Sequence, residues 1–354
     1  MRLSTISIIS SCIIIGIIAA IFIYQLQPPA RIATQSVAGG PSQSTNQLIN
    51  QQTKVILDIP QKLSFAEITE KLSQSGLIRS KKVFKIYSLI TGRAHRFKPG
   101  KYFFPPAGEA GLSTPELTKI LVAGPAEIPI IIYPGMTLKE IDERLTNSGI
   151  IQKNELINFN RDKFDNLKTR YSFLEGAKSL EGFLLPDTYY FFPVTEPDLT
   201  IQKILGNFKL KALPFFDNNA NILKTLILAS LLEKEIPDNN ERQVAAGILE
   251  KRLSVGMALQ VDATIVYIKC EGRFSNCPTL LKEDYKIDSP YNTYLEPGLP
   301  PTPISNPSLE AIKSAIEPIK TDYWYYLSDP ETKRTIFSKT LEEHNKNKVK
   351  YLNK

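Results

Sequence analysis

The residues of this chain best suited to chemistry are two glutamates, Glu233 and Glu235, at the end of the apolar stretch Leu228–Pro237. The positions three, four and seven residues before Glu235 are all leucine, so in a helix its side chain shares an apolar face. The corresponding positions before Glu233 are serine, alanine and leucine, which make a less apolar surface. Burial among leucines disfavours the ionised form of Glu235 and raises its pKa. The spacing therefore predicts a carboxyl group that can act as a general acid near neutral pH.

The end of this helix supports the same prediction. Ile236 precedes Pro237, and a residue before proline is disfavoured in the helical conformation, so the helix should end at about Glu235. The carbonyl groups at a helix C-terminus carry partial negative charge, which also favours a protonated carboxyl. The alternative interpretation is an ordinary solvated helix end without a chemical role.

Two nearby segments predict strands. The aromatic segment Glu181–Phe191 predicts one, with Asp187 in a solvated turn. In Gly256–Thr264, apolar residues occupy alternate positions, which predicts a strand with its polar residues on the other face. Those residues are Gln260, Asp262 and Thr264. Such a face is usually exposed to solvent, but it could also hydrogen-bond a sugar.

The segments Ser289–Tyr294 and Gly298–Pro307 combine tyrosine, asparagine and threonine with closely spaced prolines. Because prolines restrict the backbone, the sequence predicts rigid loops here. Tyrosine rings beside hydrogen-bonding groups suit pyranose sugars, which have apolar faces and polar edges. Composition alone assigns these loops no specific purpose.

At 354 residues, 42% hydrophobic and 22% charged, the chain has the composition of a globular protein of two or three domains. The uncharged run Ile6–Tyr24 is about long enough to cross a bilayer, and Arg2 is the only charge before it. This pattern predicts a retained anchor with a cytoplasmic N-terminus. A cleaved signal peptide, with a poor cleavage site at residues 18–20, is the alternative. Residues 27–53 have a polar composition that predicts a flexible tether.

The net charge of +7 is spread along the chain without basic blocks or interleaved aromatic residues, which argues against nucleic-acid binding. A mildly basic surface suits an acidic extracytoplasmic polymer or lipid headgroups. With only two histidines in the chain, no zinc ligand set is available, and no cofactor is predicted. Cys270 and Cys277 flank a polar loop and could form a small structural disulfide in an oxidising compartment. The spacing alone leaves that pairing open.

Two segments match at an offset of 73 residues, Ser64–Ile78 and Thr137–Ile151. In each, a serine or threonine followed three residues later by glutamate predicts a capping box, and apolar residues at helical spacing predict one buried face. Gly76 and Gly149 stand where a left-handed C-cap residue belongs. A strand-like run precedes each helix, so a strand-helix module is used twice. It is either a spacer that sets the distance from the membrane or a docking surface for a glycan or a partner.

Taken in order, these motifs resemble the YceG-like endolytic murein transglycosylase family (MltG), over nearly everything after the tether. The matching segments are the apolar N-terminal run, the strand-helix region, which is LysM-like, Glu181–Phe183 with Pro186–Thr188, Ala229–Glu235, Glu241–Arg242, Arg252–Leu253, Gly256–Met257, Leu259–Gln260 with Asp262, Tyr291–Tyr294, Gly298–Pro301, Asn306–Pro307 and Glu343–Asn345. The sequence departs from the family pattern at Ile236, where threonine is usual, and at Ala263, where proline is common. Both departures concern the surroundings of the acid and leave the acid intact.

This resemblance implies an α+β fold in four parts. Residues 1–26 are expected to form a transmembrane anchor, 27–53 a flexible tether, 54–158 the LysM-like strand-helix modules and 159–354 a mixed α/β catalytic domain. The protein is then expected in the cytoplasmic membrane as a single-pass protein. Its catalytic region would lie outside the cytoplasm, in the periplasm of a Gram-negative cell.

The resemblance also implies that Glu235 is the one catalytic residue, with Glu233 as the alternative. The substrate-binding residues that we expect are Gln260, Asp262, Tyr291, Asn292, Thr293, Tyr294 and Asn306. Supporting roles are expected for Glu233, Glu181 and Asp187.

The implied activity is non-hydrolytic, endolytic cleavage of the MurNAc–GlcNAc bond in nascent peptidoglycan strands. It leaves 1,6-anhydroMurNAc ends and is expected to terminate strand elongation, with cell-wall synthases of the penicillin-binding class as partners. One acid suffices because the nucleophile, the C6 hydroxyl, belongs to the substrate. Two alternatives stay open: a peptidoglycan hydrolase that pairs Glu235 with Asp262, and a non-catalytic scaffold that holds synthases on the wall.

Overall fold

The computed structural model describes residues 16, 19–28, 55–104, 112–217 and 220–352. The chain divides into two compact units, Met1–Glu127 and Ile128–Lys354. Helices and small two-stranded antiparallel sheets occur together in the described part of the chain. The mixed α/β character that the sequence predicted is therefore confirmed.

The first unit is a small sheet packed against helices. Its elements are β1 (Val55–Ile59), α1 (Phe65–Gln74), α2 (Lys81–Ile90), β2 (Gly100–Phe104) and α3 (Thr114–Ala123). The strands β1 and β2 pair antiparallel, with Val55 opposite Phe104. Alternate residues of each strand enter a core that includes Leu57, Phe84 and Tyr102, because successive side chains of a strand point to opposite faces.

The second unit is built around one buried helix. Its elements are β3 (Ile128–Ile132), α4 (Leu138–Asn147), α5 (Glu155–Lys168), β4 (Asp187–Phe191), α6 (Pro197–Lys211), α7 (Ile222–Glu235), α8 (Asn239–Ser254), α9 (Asp262–Lys269), α10 (Leu309–Ile316), β5 (Tyr325–Ser328), β6 (Thr335–Ser338) and α11 (Leu341–Leu352), with short 3-10 turns at Ser172–Leu174, Leu213–Phe215 and Asp284–Lys286. The strands pair as β3 with β4 and β5 with β6, both antiparallel. Every residue of α7 from Leu226 to Leu232 is buried, and α8, α9 and α10 pack against it. A helix that is apolar on all sides belongs in a core, so the end of α7 is held firmly in place.

Both copies of the predicted repeat begin with a capping box, Ser64 with Glu67 and Thr137 with Glu140. The two glycines that follow the helices have positive φ, 67° and 74°, which confirms the left-handed positions. The first copy lies in the first unit, whereas the strand of the second copy, β3, pairs with β4. The predicted boundary at residue 158 therefore falls inside α5 of the second unit.

Most of the predicted anchor, and of the tether after it, lies outside the described residues. The run Ile6–Tyr24 is described only at residue 16 and residues 19–24, and residues 19–26 are helical. Among the residues that the structure describes, no helix is both long and apolar enough to span a membrane.

The predicted strand over Gly256–Thr264 is wrong. The chain has no regular structure there until α9 begins at Asp262, and Thr264 is buried in the first turn of that helix instead of sharing an exposed face with Gln260. Gln260 has a left-handed backbone (φ 52°) between two buried apolar neighbours. A tight turn between buried residues thus produced the alternation that resembles a strand.

The predicted strand over Glu181–Phe191 is shorter than expected. It forms only as β4, where five residues pair with the five residues of β3. The preceding residues 181–185 are buried in turns. Because consecutive residues in this segment are all buried, its composition resembles that of a buried strand, although residues 181–185 pair with no other strand.

Cys270 and Cys277 form a disulfide, with their Cα atoms 5.9 Å apart. The loop between them docks on the start of α4, where the backbone N–H of Phe274 donates to the Glu140 carboxylate at 2.9 Å. The pairing that the spacing left open is therefore present, and the disulfide closes a loop directly after α9.

We expect the double variant Cys270→Ser/Cys277→Ser to fold but to unfold at lower denaturant concentration. Closing a loop with a sequence separation of 7 restricts the unfolded chain, and its loss should lower the free energy of unfolding by about 2–3 kcal/mol. The measurement is urea unfolding of the oxidised wild type and the variant. An unchanged midpoint would contradict a stabilising role, and reduced wild type should match the variant.

Candidate active site

Helix α7 ends at Glu235, as the sequence predicted. Ile236 has extended backbone angles (φ −125°, ψ 108°), and its N–H closes the last turn by donating to the Leu232 carbonyl at 3.0 Å. Glu235 as a whole residue is partly exposed, whereas residues 226–232 of the helix before it are buried. A rigid helix thus presents one carboxyl group at its end.

The Glu235 carboxyl group faces the first turn of α9. Its Oε1 accepts a hydrogen bond from the backbone N–H of Ala263 at 3.1 Å. The first N–H groups of a helix have no partner inside the helix, and Val261, which precedes α9, makes no side-chain cap. Glu235 therefore supplies an acceptor for α9, and α9 fixes the position of Glu235.

Burial raises the pKa of Glu235 to about 7. The Ala263 N–H lowers this pKa by stabilising the charged form, and the negative charge of Asp262 raises it. Near pH 7 the carboxyl group is therefore divided between protonated and ionised forms. A group that must first donate a proton and then accept one requires this balance.

Asp262, the first residue of α9, is held by a tyrosine. The Tyr294 hydroxyl donates to Asp262 Oδ1, and the ring of Tyr285 contacts that of Tyr294 edge to face, with 4.8 Å between centroids. Burial raises the pKa of Tyr285 to about 12, and the charge of Asp262 adds to the rise. Both phenols stay protonated near pH 7, and the Tyr294 hydrogen bond fixes the orientation of the Asp262 carboxylate. Asp262 directly precedes Ala263, whose N–H binds Glu235.

Strand β5 borders the same helix end. The hydroxyl of Ser328 donates to the backbone carbonyl of Glu235 at 3.4 Å. Tyr326 lies two residues earlier on the same face of the strand. Burial raises the pKa of Tyr326, and the negative charge of Glu235 contributes to the rise. Tyr326 therefore belongs to the surroundings of the acid.

Sequence reasoning missed Tyr285, Tyr326 and Ser328. Tyr326 and Ser328 lie about 90 residues after Glu235 in a short strand whose pattern resembles any half-buried strand. Tyr285 lies just before the proline-containing loop that was predicted to bind sugar. Its position just before that loop is the one signal in the sequence that points to it.

Glu233, the alternative acid, is occupied with structural contacts. Its Oε2 accepts from the backbone N–H of Ser308 at 2.8 Å, at the start of α10, and its Oε1 lies 3.7 Å from a guanidinium nitrogen of Arg242 on α8. Its side chain is only 9% exposed. Glu233 therefore joins α7 to two neighbouring helices, whereas the Glu235 carboxyl group accepts from the first turn of α9.

Asn306 and Glu181 form a buried pair. Asn306 Oδ1 accepts from the backbone N–H groups of Gly182 and Leu184 at 2.8 and 2.9 Å, and its Nδ2 donates to Glu181 at 2.8 Å. Glu181 also accepts from the backbone N–H of Leu138 at 3.0 Å. Burial raises the pKa of Glu181 to about 8, but only 4% of the residue is exposed. These two residues hold loops together and offer little surface to a sugar.

Three of the expected sugar-binding residues build the loop that carries the tyrosines. Asn292 and Thr293 are buried. The Asn292 amide donates to the backbone carbonyl of Tyr285 at 3.1 Å, and Thr293 Oγ1 accepts from the backbone N–H of Val261 at 3.0 Å. Tyr291 bonds through its hydroxyl to a neighbouring threonine at 2.7 Å. The contacts join this loop to the turn before α9 and so align Tyr294 with Asp262.

Gln260 lies beside the loop that carries Tyr294, whereas Asp187 lies on β4. Gln260 is exposed in its left-handed turn, and its backbone N–H donates to the Thr293 carbonyl at 3.0 Å. A positive φ at a residue other than glycine marks a backbone that its surroundings constrain. Asp187 begins β4, where it accepts from Asn207 at 2.8 Å and pairs with Lys211. Its described contacts include none with Glu235 or Asp262.

Concave surface alone does not identify the site. A cavity of about 720 Å³ lies at the connection of α6 and α7, with Lys209, Phe216 and Leu223 among its lining residues, and it does not include Glu235. We place the site at Glu235 because of its chemistry: a carboxyl group with a raised pKa beside a fixed carboxylate and protonated phenols.

Comparison with known proteins gives matches over most of the chain. The model of the YceG-like family matches residues 57–350. The chain is 30% identical over 321 residues to the endolytic murein transglycosylase of Bacillus subtilis (strain 168), covering 85% of this chain and 86% of the relative. It is 28% identical over 334 residues to the endolytic murein transglycosylase of Streptococcus pneumoniae (strain D39), and there it spans 59% of the longer relative.

A solved structure shares the fold. The crystal structure of a yceG-like protein from Listeria monocytogenes superposes with a TM-score of 0.55 at 28% sequence identity. The match covers 84% of this chain and 99% of the Listeria chain.

Proposed function

The chain belongs to the YceG-like family, and from this membership together with the Glu235 site we propose that it is an endolytic peptidoglycan lytic transglycosylase. The observation that carries the proposal is the Glu235 carboxyl group, which is fixed at a helix end with a pKa raised to about 7. Relatives matched over most of this chain are named endolytic murein transglycosylases, which supports this substrate and this class of cleavage.

Glu235 performs both proton transfers of the reaction. In its protonated form it donates to the glycosidic oxygen while the bond from that oxygen to C1 of MurNAc breaks, leaving positive charge on the sugar ring. The resulting carboxylate then takes the proton of the C6 hydroxyl as that oxygen bonds to C1. The product is a 1,6-anhydroMurNAc end, Glu235 is again protonated, and no water is consumed.

Asp262 and the tyrosines assist this reaction electrostatically. The Asp262 carboxylate, held by Tyr294, supplies negative charge that stabilises the positive sugar ring and keeps the pKa of Glu235 high. Gln260, which is exposed at the edge of the site, contributes an amide for the sugar hydroxyls.

Analysis of the products tests the proposed function. Purified glycan strands digested by the full chain should yield internal cleavage and 1,6-anhydroMurNAc ends, detected by mass spectrometry. Reducing MurNAc ends that contain an added water would instead establish a hydrolase that pairs Glu235 with Asp262. Absence of any cleavage, with the folded state verified by circular dichroism, would favour the scaffold alternative.

Cellular context completes the proposal. The apolar run Ile6–Tyr24 anchors the chain in the cytoplasmic membrane, and the catalytic unit lies outside the cytoplasm. The first strand-helix module is LysM-like and contacts glycan, while cell-wall synthases supply the nascent strands whose elongation this cleavage terminates. The uncharged run supports the membrane location, and the family resemblance supports the contact with glycan.

We expect Ala263→Pro to raise the pH at which activity declines. The N–H of Ala263 is the donor that favours the ionised form of Glu235, and proline has no N–H but is tolerated in the first turn of a helix. Losing one such hydrogen bond should raise the pKa of Glu235 by about one unit. Because the protonated form is the active acid, the alkaline limb of kcat/KM then moves to higher pH. The control Ala263→Gly keeps the N–H and should keep the limb, and an unmoved limb in the proline variant would contradict this role.

A further inference from the structure

The exposed face of α2 in the first unit carries large apolar residues that no part of the described unit covers. Ile86, Leu89 and Ile90 are 47%, 56% and 79% exposed. At 100° per residue these three positions lie on one side of the helix, opposite the buried Phe84 and Ser88. Exposed apolar side chains that cluster on one helix face mark an interaction surface.

Basic residues surround this apolar cluster. Lys82 and Lys85 lie on the same side of α2, and we call these two lysines with Ile86, Leu89 and Ile90 the α2 face. A third lysine, Lys81, is paired with Glu70 of α1 at 2.7 Å, and Lys85 interacts electrostatically with the same carboxylate. Three lysines against one glutamate leave a net positive charge at the apolar cluster.

The sequence around α2 is basic over a long stretch. Residues 71–108 contain no aspartate or glutamate. They contain nine basic residues, which are Lys71, Arg79, Lys81, Lys82, Lys85, Arg93, Arg96, Lys98 and Lys101. Nine positive charges exceed the +7 of the whole chain, so the remaining residues together are slightly acidic. The net charge is therefore not spread along the chain, as expected above, but lies in this segment, where other residues separate the lysines and arginines so that few of them are adjacent.

The described part of the N-terminal run contacts the residue that leads into α2. The guanidinium of Arg79 lies 4.7 Å from the ring centroid of Tyr24 and donates to the carbonyl of Pro28. Tyr24 is the last residue of the uncharged run Ile6–Tyr24. Tyrosine at the end of an apolar span favours the boundary between lipid and water. With the anchor proposed above, this contact holds the start of α2 near the membrane surface.

We infer that the α2 face docks on an anionic lipid bilayer. Isoleucine and leucine side chains enter the boundary of the acyl chains, while Lys82 and Lys85 pair with lipid phosphates, as in amphipathic helices that lie in a membrane surface. An acidic wall polymer would satisfy the lysines but leave the apolar side chains in water. A second copy of the chain would cover the apolar side chains but bring two positively charged faces together.

A single reporter beside the α2 face tests this inference in the full chain. Thr91 follows α2 and is exposed. In a Cys12→Ser background the only other cysteines form the disulfide, so Thr91→Cys can be labelled with the polarity-sensitive dye NBD. The labelled chain is reconstituted in vesicles of equal parts phosphatidylglycerol and phosphatidylcholine, with and without nitroxide-labelled lipids. We expect blue-shifted emission that the nitroxide lipids quench.

Matched variants separate docking from anchoring. Ile86→Ser/Leu89→Ser/Ile90→Ser should lose both the blue shift and the quenching while the chain stays in the vesicles. In anionic vesicles, Lys82→Gln/Lys85→Gln should lose the blue shift at a lower salt concentration than the chain with both lysines, because salt screens the attraction between charges. Ile56→Ser, which changes an isoleucine that is 53% exposed on β1, is the control and should keep the signal.

Two results would overturn the inference. One is water-like emission from the label on the otherwise unchanged α2 face in anionic vesicles. If, in addition, the lysine variant loses binding to isolated cell walls, the partner of this face is an acidic wall polymer. The other is a signal that the triple serine variant leaves unchanged. Cleavage of glycan strands is measured in the same preparations, so failure of docking is distinguishable from failure of the proposed activity.

Discussion

Glu235→Gln is expected to abolish cleavage of glycan strands, with a loss of at least about 10³-fold in kcat. The amide keeps the shape of the side chain and can still accept the hydrogen bond from Ala263, but it can neither donate a proton as an acid nor accept one as a base. General acid–base catalysis contributes about 10²–10⁴-fold in each role, and here one group performs both roles. The measurement is the rate of formation of 1,6-anhydroMurNAc ends by the purified full chain.

Glu233→Gln is the matched control, two residues away on the same helix. Its carboxylate holds Ser308 and Arg242, so the substitution leaves the buried guanidinium without its charge partner. We expect this variant to lose about 3 kcal/mol of unfolding free energy and to keep the anhydro product at temperatures where it is folded. If instead Glu233→Gln abolished the product and Glu235→Gln retained it, the assignment of the acid would be wrong.

Asp262→Asn is expected to lower kcat by about 10²–10³-fold without eliminating the product. The asparagine Oδ1 still accepts from Tyr294, so the loop keeps its position, but the negative charge that stabilises the positive sugar ring is gone. A hydrolase with Asp262 as its nucleophile would lose all turnover in this variant.

The pH profile of Asp262→Asn gives a second, independent readout. The charge of Asp262 raises the pKa of Glu235, so its removal lowers that pKa from about 7. The active form of Glu235 is protonated, and kcat/KM falls as pH rises through the pKa. The alkaline limb of the variant should therefore lie at lower pH than that of the wild type, the opposite of the shift expected for Ala263→Pro. Asp187→Asn, which changes an acid paired with Lys211, should leave the limb in place.

These expectations depend on long-range contacts that the sequence did not reveal. Asp262 and Tyr294 were both expected to bind sugar, but their bond to each other joins residues 32 positions apart. Asn292, Thr293 and Asn306 were also expected to bind sugar and proved to be buried parts of the scaffold. Residue type alone could not separate the two roles, since an amide or hydroxyl that hydrogen-bonds a sugar can equally well cap a loop.

Local chemistry determined what the sequence could predict by itself. The leucine spacing before Glu235 and the proline after Ile236 define a buried helix and its last residue, because helical periodicity and the steric effect of proline act within a few residues. The capping boxes and the left-handed glycines follow for the same reason. Only the tertiary structure decided which glutamate holds the scaffold together and which one acquires a raised pKa. Ser308 and Arg242 occupy Glu233, whereas Ala263, Asp262 and burial together set the pKa of Glu235. Those partners come from separate helices, so their influence exists only once the chain has packed.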